Sequence, residues 1–114
     1  MAKLRPDENL KVAEIVSAAL AGDWDAFRNL SDEPFLNESA MSEAFEMCAD
    51  ALQTMGEVKA EAEVTRASDG SRMVYATISG TNPDADEIRL IMHGLMVAGV
   101  NKVGIWVFSP MPKW

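Results

Sequence analysis

The clearest pattern along the chain is a change of hydrophobic period near residue 57. Before this point, apolar residues recur three or four positions apart, which is the spacing of one face of a helix. After it, apolar and polar residues alternate, which is the spacing of a half-buried strand. The order of the two periods predicts N-terminal helices followed by a sheet, an α+β fold.

The segment before residue 34 is predicted to hold two helices. The first begins near Asp7, which can cap it, and ends at Gly22. A second, short helix begins at Asp23 as N-cap and ends before Pro34, and residues 34–37 form a short extended piece. The apolar stripe predicted for the first helix consists of Val12, Ile15, Val16, Ala19 and Leu20.

A third helix is predicted from the strongest helical stripe in the chain. Asn37 or Ser39 can cap its start, and Gly56 suits its end. Cys48 lies on the stripe, so we expect a small buried hydrophobe and not a reactive thiol. The stripe consists of Met41, Phe45, Cys48, Leu52 and Met55.

Alternation from residue 57 predicts a hairpin, with residues 68–70 as the turn and 72–79 as the return strand. The length of the loop decides which side chains share a face. A two-residue loop puts Val64 opposite Tyr75. A three-residue loop with a left-handed Gly70 puts Val64 opposite Val74, and it gathers the small apolar residues on one face. We therefore predict the second register.

Residues 86–98 are ambiguous, because the run is apolar at nearly every position. As a helix, it is capped by Asp84 and ends at Gly99; as a strand, it has apolar residues on both sides. The pattern alone favours the helix, and with residues 84–98 helical the fold becomes an α/β sandwich. Residues 99–102 are predicted to form a turn and 103–108 a buried strand. The tail at 109–114 is predicted to be irregular, because two prolines cannot join a central ladder.

Length and composition predict one globular domain over residues 1–114. The chain is 48% hydrophobic and 25% charged, which is ordinary for such domains. No apolar run reaches the roughly 20 residues that span a bilayer, and no signal-peptide pattern follows the basic N-terminus. We expect a cytoplasmic protein that binds no membrane. The single cysteine excludes an internal disulfide bond.

Charge is unevenly distributed along the chain. The net charge is −8, and residues 1–63 hold 14 of the 18 acidic residues but only 5 of the 10 Lys and Arg. This half would repel a phosphate backbone, so we expect no nucleic-acid partner. Its acidic residues are those of a solvated helical face or, alternatively, of a surface that attracts a basic partner.

Residues 14–36 resemble the opening of the nuclear-transport-factor-like superfamily, which includes ketosteroid-isomerase-like and polyketide-cyclase-like proteins. The resemblance is carried by the phrase Ala19-Leu20-Ala21-Gly22-Asp23, followed by Trp24, Phe27 and Leu30. It implies that residues 87–97 are a strand and 99–102 a hairpin turn. It also implies a curved antiparallel sheet around the helices, with a cone-shaped pocket between them.

The resemblance also permits a test for isomerase chemistry. Such enzymes stabilise a dienolate with a tyrosine and a protonated acid. The tyrosine position aligns with Ile15 and the acid position with Met92, and neither side chain can donate a hydrogen bond. The position of the general base falls near Glu38. We therefore expect no ketosteroid isomerase activity, and the sequence identifies no other catalytic residues.

Four residues are candidates for a ligand site. Arg89 and His93 share a face whether residues 86–98 are a helix or a strand, and the pair could orient an anionic ligand; Tyr75 and Trp106 could line the same cavity. One His and one Cys make a zinc site improbable, and the sequence predicts no metal and no cofactor.

Three functions follow from these features. The first is a pocket that binds a small apolar or anionic molecule. The second is a homodimer through the sheet face. Residues 88–108 carry apolar side chains at both odd and even positions, so both faces of these strands are apolar, which is more than one core face needs. The third is an acidic protein that binds or inhibits a basic partner.

Overall fold

Residues 3–111 are the part of the chain that the computed structural model describes, and they form three helices followed by a four-stranded antiparallel sheet. This confirms the predicted α+β class, with the helices N-terminal to the sheet. The sheet order is β1-β2-β3-β4, so each strand pairs with its neighbour in sequence. The elements are α1 (Pro6–Ala21), α2 (Trp24–Leu30), α3 (Glu38–Thr54), β1 (Val58–Arg66), β2 (Arg72–Gly80), β3 (Glu87–Val97) and β4 (Val100–Met111).

Helix α1 begins slightly earlier than predicted. Arg5 is the N-cap and Pro6 the first helical residue, a position where its missing N–H costs no hydrogen bond. The Glu8 carboxylate accepts the Arg5 backbone N–H at 2.7 Å, so Asp7 lies in the first turn and not at the cap. The predicted end at Gly22 is confirmed by its left-handed φ of 66°. One member of the predicted stripe, Leu20, is exposed, and Ala18 is buried in its stead.

Helix α3 agrees with its predicted stripe and cap. The Asn37 side chain accepts the N–H of Ala40 at 3.0 Å. Cys48 is fully buried, as predicted. Phe45 of this helix contacts Phe27 of α2, whose ring lies 5.0 Å from that of Phe108 on β4. This aromatic cluster joins α2 and α3 to the last strand.

The β1–β2 hairpin has the predicted register. Val64 pairs with Val74, and two residues further along β1 at each step, Ala62 pairs with Ala76 and Ala60 with Ile78. Gly70 has the left-handed φ of 87° that the three-residue loop requires. The Ala67 N–H donates to the Ser71 carbonyl at 2.8 Å and closes the loop.

The helical alternative for residues 84–98 is wrong, since residues 87–97 form β3. Ile88, Leu90 and Met92 are fully buried on the side that faces the helices. Ile91 and Leu95 are half-buried on the opposite side. Apolar residues on both sides of the strand gave the run its helix-like pattern.

The last hairpin turns earlier, and its second strand runs further, than the sequence predicted. The turn is Ala98-Gly99, both with positive φ as a two-residue hairpin requires, and the chain is already paired at Val100. The prediction that the tail at 109–114 is irregular was wrong for residues 109–111, which belong to β4. Residues 112–114 lie outside the described residues. β4 is an edge strand, so every second backbone N–H of the strand points away from β3. Pro110 occupies one of these positions, where its missing N–H costs no hydrogen bond to β3.

A buried ion pair fastens α1 to β2. The Arg72 guanidinium donates to both oxygens of Glu8, at 2.9 Å and 2.8 Å, and also to the Lys3 carbonyl at 2.6 Å. Burial on its own raises the pKa of Glu8. The hydrogen bonds from Arg72 and the Arg5 backbone, together with the charges of both arginines, outweigh it and lower that pKa below its ordinary value. Glu8 is therefore ionised and paired at neutral pH.

Candidate functional site

A cavity lies between α3 and β4. It has a volume of about 630 Å³, which falls within the range of small-molecule sites. Its walls are residues 33–37, residues 105–109 of β4, and Ala40, Met41 and Ala44 of α3. The fully exposed Leu36 lies on this wall. Most of the lining is apolar, so the cavity suits an apolar group.

The α2–α3 connection is held against β4 by hydrogen bonds to the edge of that strand. The Asp32 N–H donates to the Val103 carbonyl, and the Val103 N–H donates to the Asp32 carboxylate, both at 2.8 Å. The Ser31 hydroxyl accepts the Ile105 N–H at 3.0 Å and donates to the Glu33 carbonyl at 2.7 Å. These bonds fix the start of the 33–37 wall.

A β-bulge positions Trp106. Met92 pairs with Ile105 and Ile91 with Val107, so Trp106 is the extra residue on β4. Its indole ring is half exposed and lines the cavity. The ring also stacks on the His93 imidazole, with centroids 4.6 Å apart and planes 17° from parallel.

Glu33 is the one charged side chain among the described residues that line the cavity. It lies over Gly104, where an added Cβ would come within 2.8 Å of the Glu33 carboxylate. One Glu33 oxygen is 3.8 Å from His93 Nδ1, too far for a hydrogen bond. Within residues 3–111, that buried nitrogen has no hydrogen-bond partner. The Glu33 carboxylate is thus partly exposed and free to accept a donor.

A second, more polar hollow adjoins the cavity. It has a volume of about 350 Å³ and shares Glu33, Pro34 and Phe35 with the cavity. Asp32 and Glu38 also line it, and Arg28, which pairs with Glu38, is the lining group of opposite charge among the described residues. The carboxylates of Asp32, Glu33 and Glu38 outnumber the single guanidinium, so the net charge of the hollow is negative.

The four predicted site residues share the sheet face opposite the helices, but only two of them meet. His93 and Trp106 stack, and Trp106 alone of the four lines the cavity. Arg89 is exposed and forms no ion pair within the described residues. It lies four positions from His93 along β3, a separation of roughly 13 Å with Ile91 between them. The anion site predicted for this pair stays a prediction.

Tyr75 lies opposite Ile91 on the same outer face, and its ring is 42% exposed. It is outside the cavity lining. Of the isomerase positions, Ile15 and Met92 are fully buried in the core, and Glu38 is exposed and paired with Arg28. Neither core residue can donate a hydrogen bond to a ligand.

Other chemistry in the described residues is limited. Burial raises the pKa of the Cys48 thiol to about 12, so the thiol is protonated at neutral pH. Residues 3–111 hold no group of three or more His, Cys, Asp or Glu side chains able to bind a metal ion. None of the helices described there is both long and apolar enough to cross a membrane.

Comparison of the chain with protein-family models, with curated proteins and with solved structures gave no match. The resemblance to the nuclear-transport-factor-like superfamily therefore stays a prediction.

Sequence reasoning did not identify the 33–37 wall or the α3 residues of the cavity. The sequence feature that could have indicated the 33–37 wall is a pair of adjacent large apolar residues, Phe35 and Leu36, in a segment without hydrophobic periodicity. Met41 was assigned to the core stripe, and it does lie partly there, with its other side on the cavity.

Proposed function

We propose that this protein is a binding module that takes an apolar group of a ligand into the α3–β4 cavity. The observation that carries the proposal is a cavity of about 630 Å³ with a mostly apolar lining and an exposed leucine. Leaving a leucine side chain in water forgoes about 1.5–3 kcal/mol of burial free energy, which a ligand that covers it recovers. No catalytic step is part of the proposal.

The test uses N-phenyl-1-naphthylamine, a neutral apolar dye that fluoresces when removed from water. We expect saturable binding to the wild-type protein. Ala40→Trp places a large ring in the cavity from an exposed position of α3, and it should weaken binding at least about tenfold. The matched control is Ala13→Trp, at an exposed position of α1 outside the lining, which should bind as wild type. Equal binding by both variants would place the dye elsewhere and contradict the proposal.

The outer face of the sheet supports a second candidate, a homodimer. Tyr75 is 42% exposed there, and Ile91 and Val107 beside it are only half-buried. Glu61 on β1 and Arg89 on β3 lie on the same face, so two copies can place opposite charges against each other. A second copy covering this face would remove the exposed apolar surface from water.

Sedimentation velocity at high micromolar concentration tests the dimer. Wild-type protein is expected to sediment as a dimer, and Ile91→Arg as a monomer, because the arginine puts an unpaired charge in the middle of the interface. The control Ala13→Arg changes an exposed position of α1, away from the sheet face, and should sediment as a dimer. A wild-type monomer at that concentration would refute the second candidate.

A further inference from the structure

The charge of the cavity wall indicates which class of ligand the cavity binds. Among the described lining residues, Glu33 is the one side chain that carries charge. Its side chain is 42% exposed, and its carboxylate makes no hydrogen bond within the described residues. His93 neutralises it only when protonated, and then only at 3.8 Å. An ionised carboxylate beside an apolar wall is stabilised by a cation that enters with an apolar ligand.

Two further observations point to a positive charge at the same place. The polar hollow on the other side of residues 33–35 adds the carboxylates of Asp32 and Glu38, with Arg28 as the opposing charge. One face of the Trp106 indole is stacked on His93, but the residue is half exposed and lines the cavity, and a free aromatic face attracts an organic cation. Carboxylate and indole together recognise an ammonium group, whereas both disfavour an anion.

Resting on the proposed function of the cavity, we propose that its ligand is an apolar organic cation. The alkyl or aryl part lies against Leu36, Met41 and Ala44, and the ammonium group lies at Glu33, beside Trp106. Arg89 and His93, from which an anionic ligand was expected, are both outside the cavity lining, and they lie four residues, roughly 13 Å, apart along the β3 backbone. The carboxylate that recognises the cation comes from the α2–α3 connection and not from the sheet.

The experiment compares three ligands with the same ten-carbon chain. Decyltrimethylammonium, 1-decanol and decanoate, each below its micelle-forming concentration, compete with N-phenyl-1-naphthylamine for the cavity. The cation is expected to bind about fivefold more tightly than the alcohol, a ratio typical of one partly exposed charge pair. Decanoate is expected to bind more weakly than the alcohol. Added salt should narrow both differences.

Two glutamate variants separate site recognition from attraction by the net charge of −8. Glu33→Gln keeps the shape of the wall and removes its charge, so the preference for the cation over the alcohol should fall to near unity. Glu63→Gln removes the same charge from an exposed position on β1 and should leave the preference unchanged. Thermal unfolding of both variants shows that each is folded.

The outcomes distinguish this inference from the proposed function. If the dye binds and Ala40→Trp blocks it, but the alcohol competes as well as the cation, the cavity site stands and the cationic ligand class is refuted. Loss of the preference in both glutamate variants would also refute it, because net charge would then account for the binding. If the dye does not bind the wild-type protein, the proposed function fails first.

Discussion

The two edges of the sheet are protected in different ways. β1 is left open, but its exposed side carries charge, with Lys59 and Glu61 3.7 Å apart and Glu63 beyond them. Charged side chains on an edge strand oppose pairing with another chain. β4 is covered instead. Residues 31 and 32 bond to its backbone at Val103 and Ile105, and Phe108 is buried in the cluster with α2 and α3.

This difference explains where the cavity is. Covering β4 requires the α2–α3 connection to run along the strand edge and then turn into α3. The space between the end of that connection, β4 and α3 is filled only in part, and the unfilled part is the cavity. Among the described residues, no segment hydrogen-bonds along the outer edge of β1, which is protected by charge. The candidate site is thus a consequence of how one sheet edge is covered.

The largest effect is expected at the buried ion pair that fastens α1 to the β1–β2 half of the sheet. Glu8→Gln leaves Arg72 buried and without its counter-charge, which typically costs about 3–5 kcal/mol of the free energy of unfolding. Urea denaturation at pH 7 measures it. The double variant Glu8→Gln/Arg72→Met is the control and should recover part of the loss, since no buried charge remains. A loss below about 1 kcal/mol in the single variant would contradict this role.

The same pair predicts a pH dependence. The folded-state pKa of Glu8 is lowered, so its contribution is fully present above the ordinary glutamate pKa of about 4.5 and is lost as the pH falls through the folded-state value. The difference in stability between wild type and the double variant should therefore shrink below pH 4.5. A difference that is constant from pH 7 to pH 3 would show that Glu8 is not the titrating group.

An intermediate effect is expected where β4 is covered. Ser31→Ala removes the acceptor of the Ile105 N–H and the donor to the Glu33 carbonyl. The expected loss is about 1–2 kcal/mol, together with faster amide exchange at Ile105. Ser68→Ala, in the exposed β1–β2 turn, is the matched control and should be nearly neutral. Unchanged exchange at Ile105 would mean that residue 31 does not protect this edge.

The smallest effect on stability is expected at the open edge. Glu61→Val/Glu63→Val changes exposed positions and should shift the free energy of unfolding by no more than about 0.5 kcal/mol. The variant should nevertheless associate beyond the wild-type state, because the charges that oppose strand pairing are gone. Sedimentation velocity at matched concentrations checks this. If the variant sediments as wild type does, charge is not what protects β1.

Much of the fold could be predicted from the sequence where local chemistry decides it. The β1–β2 register followed from the alternation of small apolar residues and a glycine placed for a left-handed turn. The hydrophobic pattern alone did not give the strand state of residues 87–97, because Ile91 and Leu95 make the outer face apolar as well; the strand that the resemblance implied there is confirmed. The early turn at Ala98 was also hidden, since alanine rarely adopts positive φ.

The candidate site was harder to predict than the fold. Trp106 was identified as a candidate site residue, but its position depends on a β-bulge that the hydrophobic pattern did not predict. The 33–37 wall has no period, and its place on β4 depends on hydrogen bonds between residues more than 70 positions apart. Arg89 and Tyr75 were grouped with Trp106 by shared face alone, and they lie on β3 and β2, outside the lining that β4 provides.

Binding in the α3–β4 cavity can be located residue by residue by titrating N-phenyl-1-naphthylamine into isotopically labelled protein and recording amide nitrogen–proton correlation spectra. Dye binding in the α3–β4 cavity should give the largest shift changes at Ala40, Met41 and Ala44 of α3, which line it. Tyr75, on the outer face of the sheet and outside the lining, should remain nearly unchanged. Large changes at Tyr75 with unchanged Ala40 and Ala44 would contradict the proposal and move the binding site to the outer face.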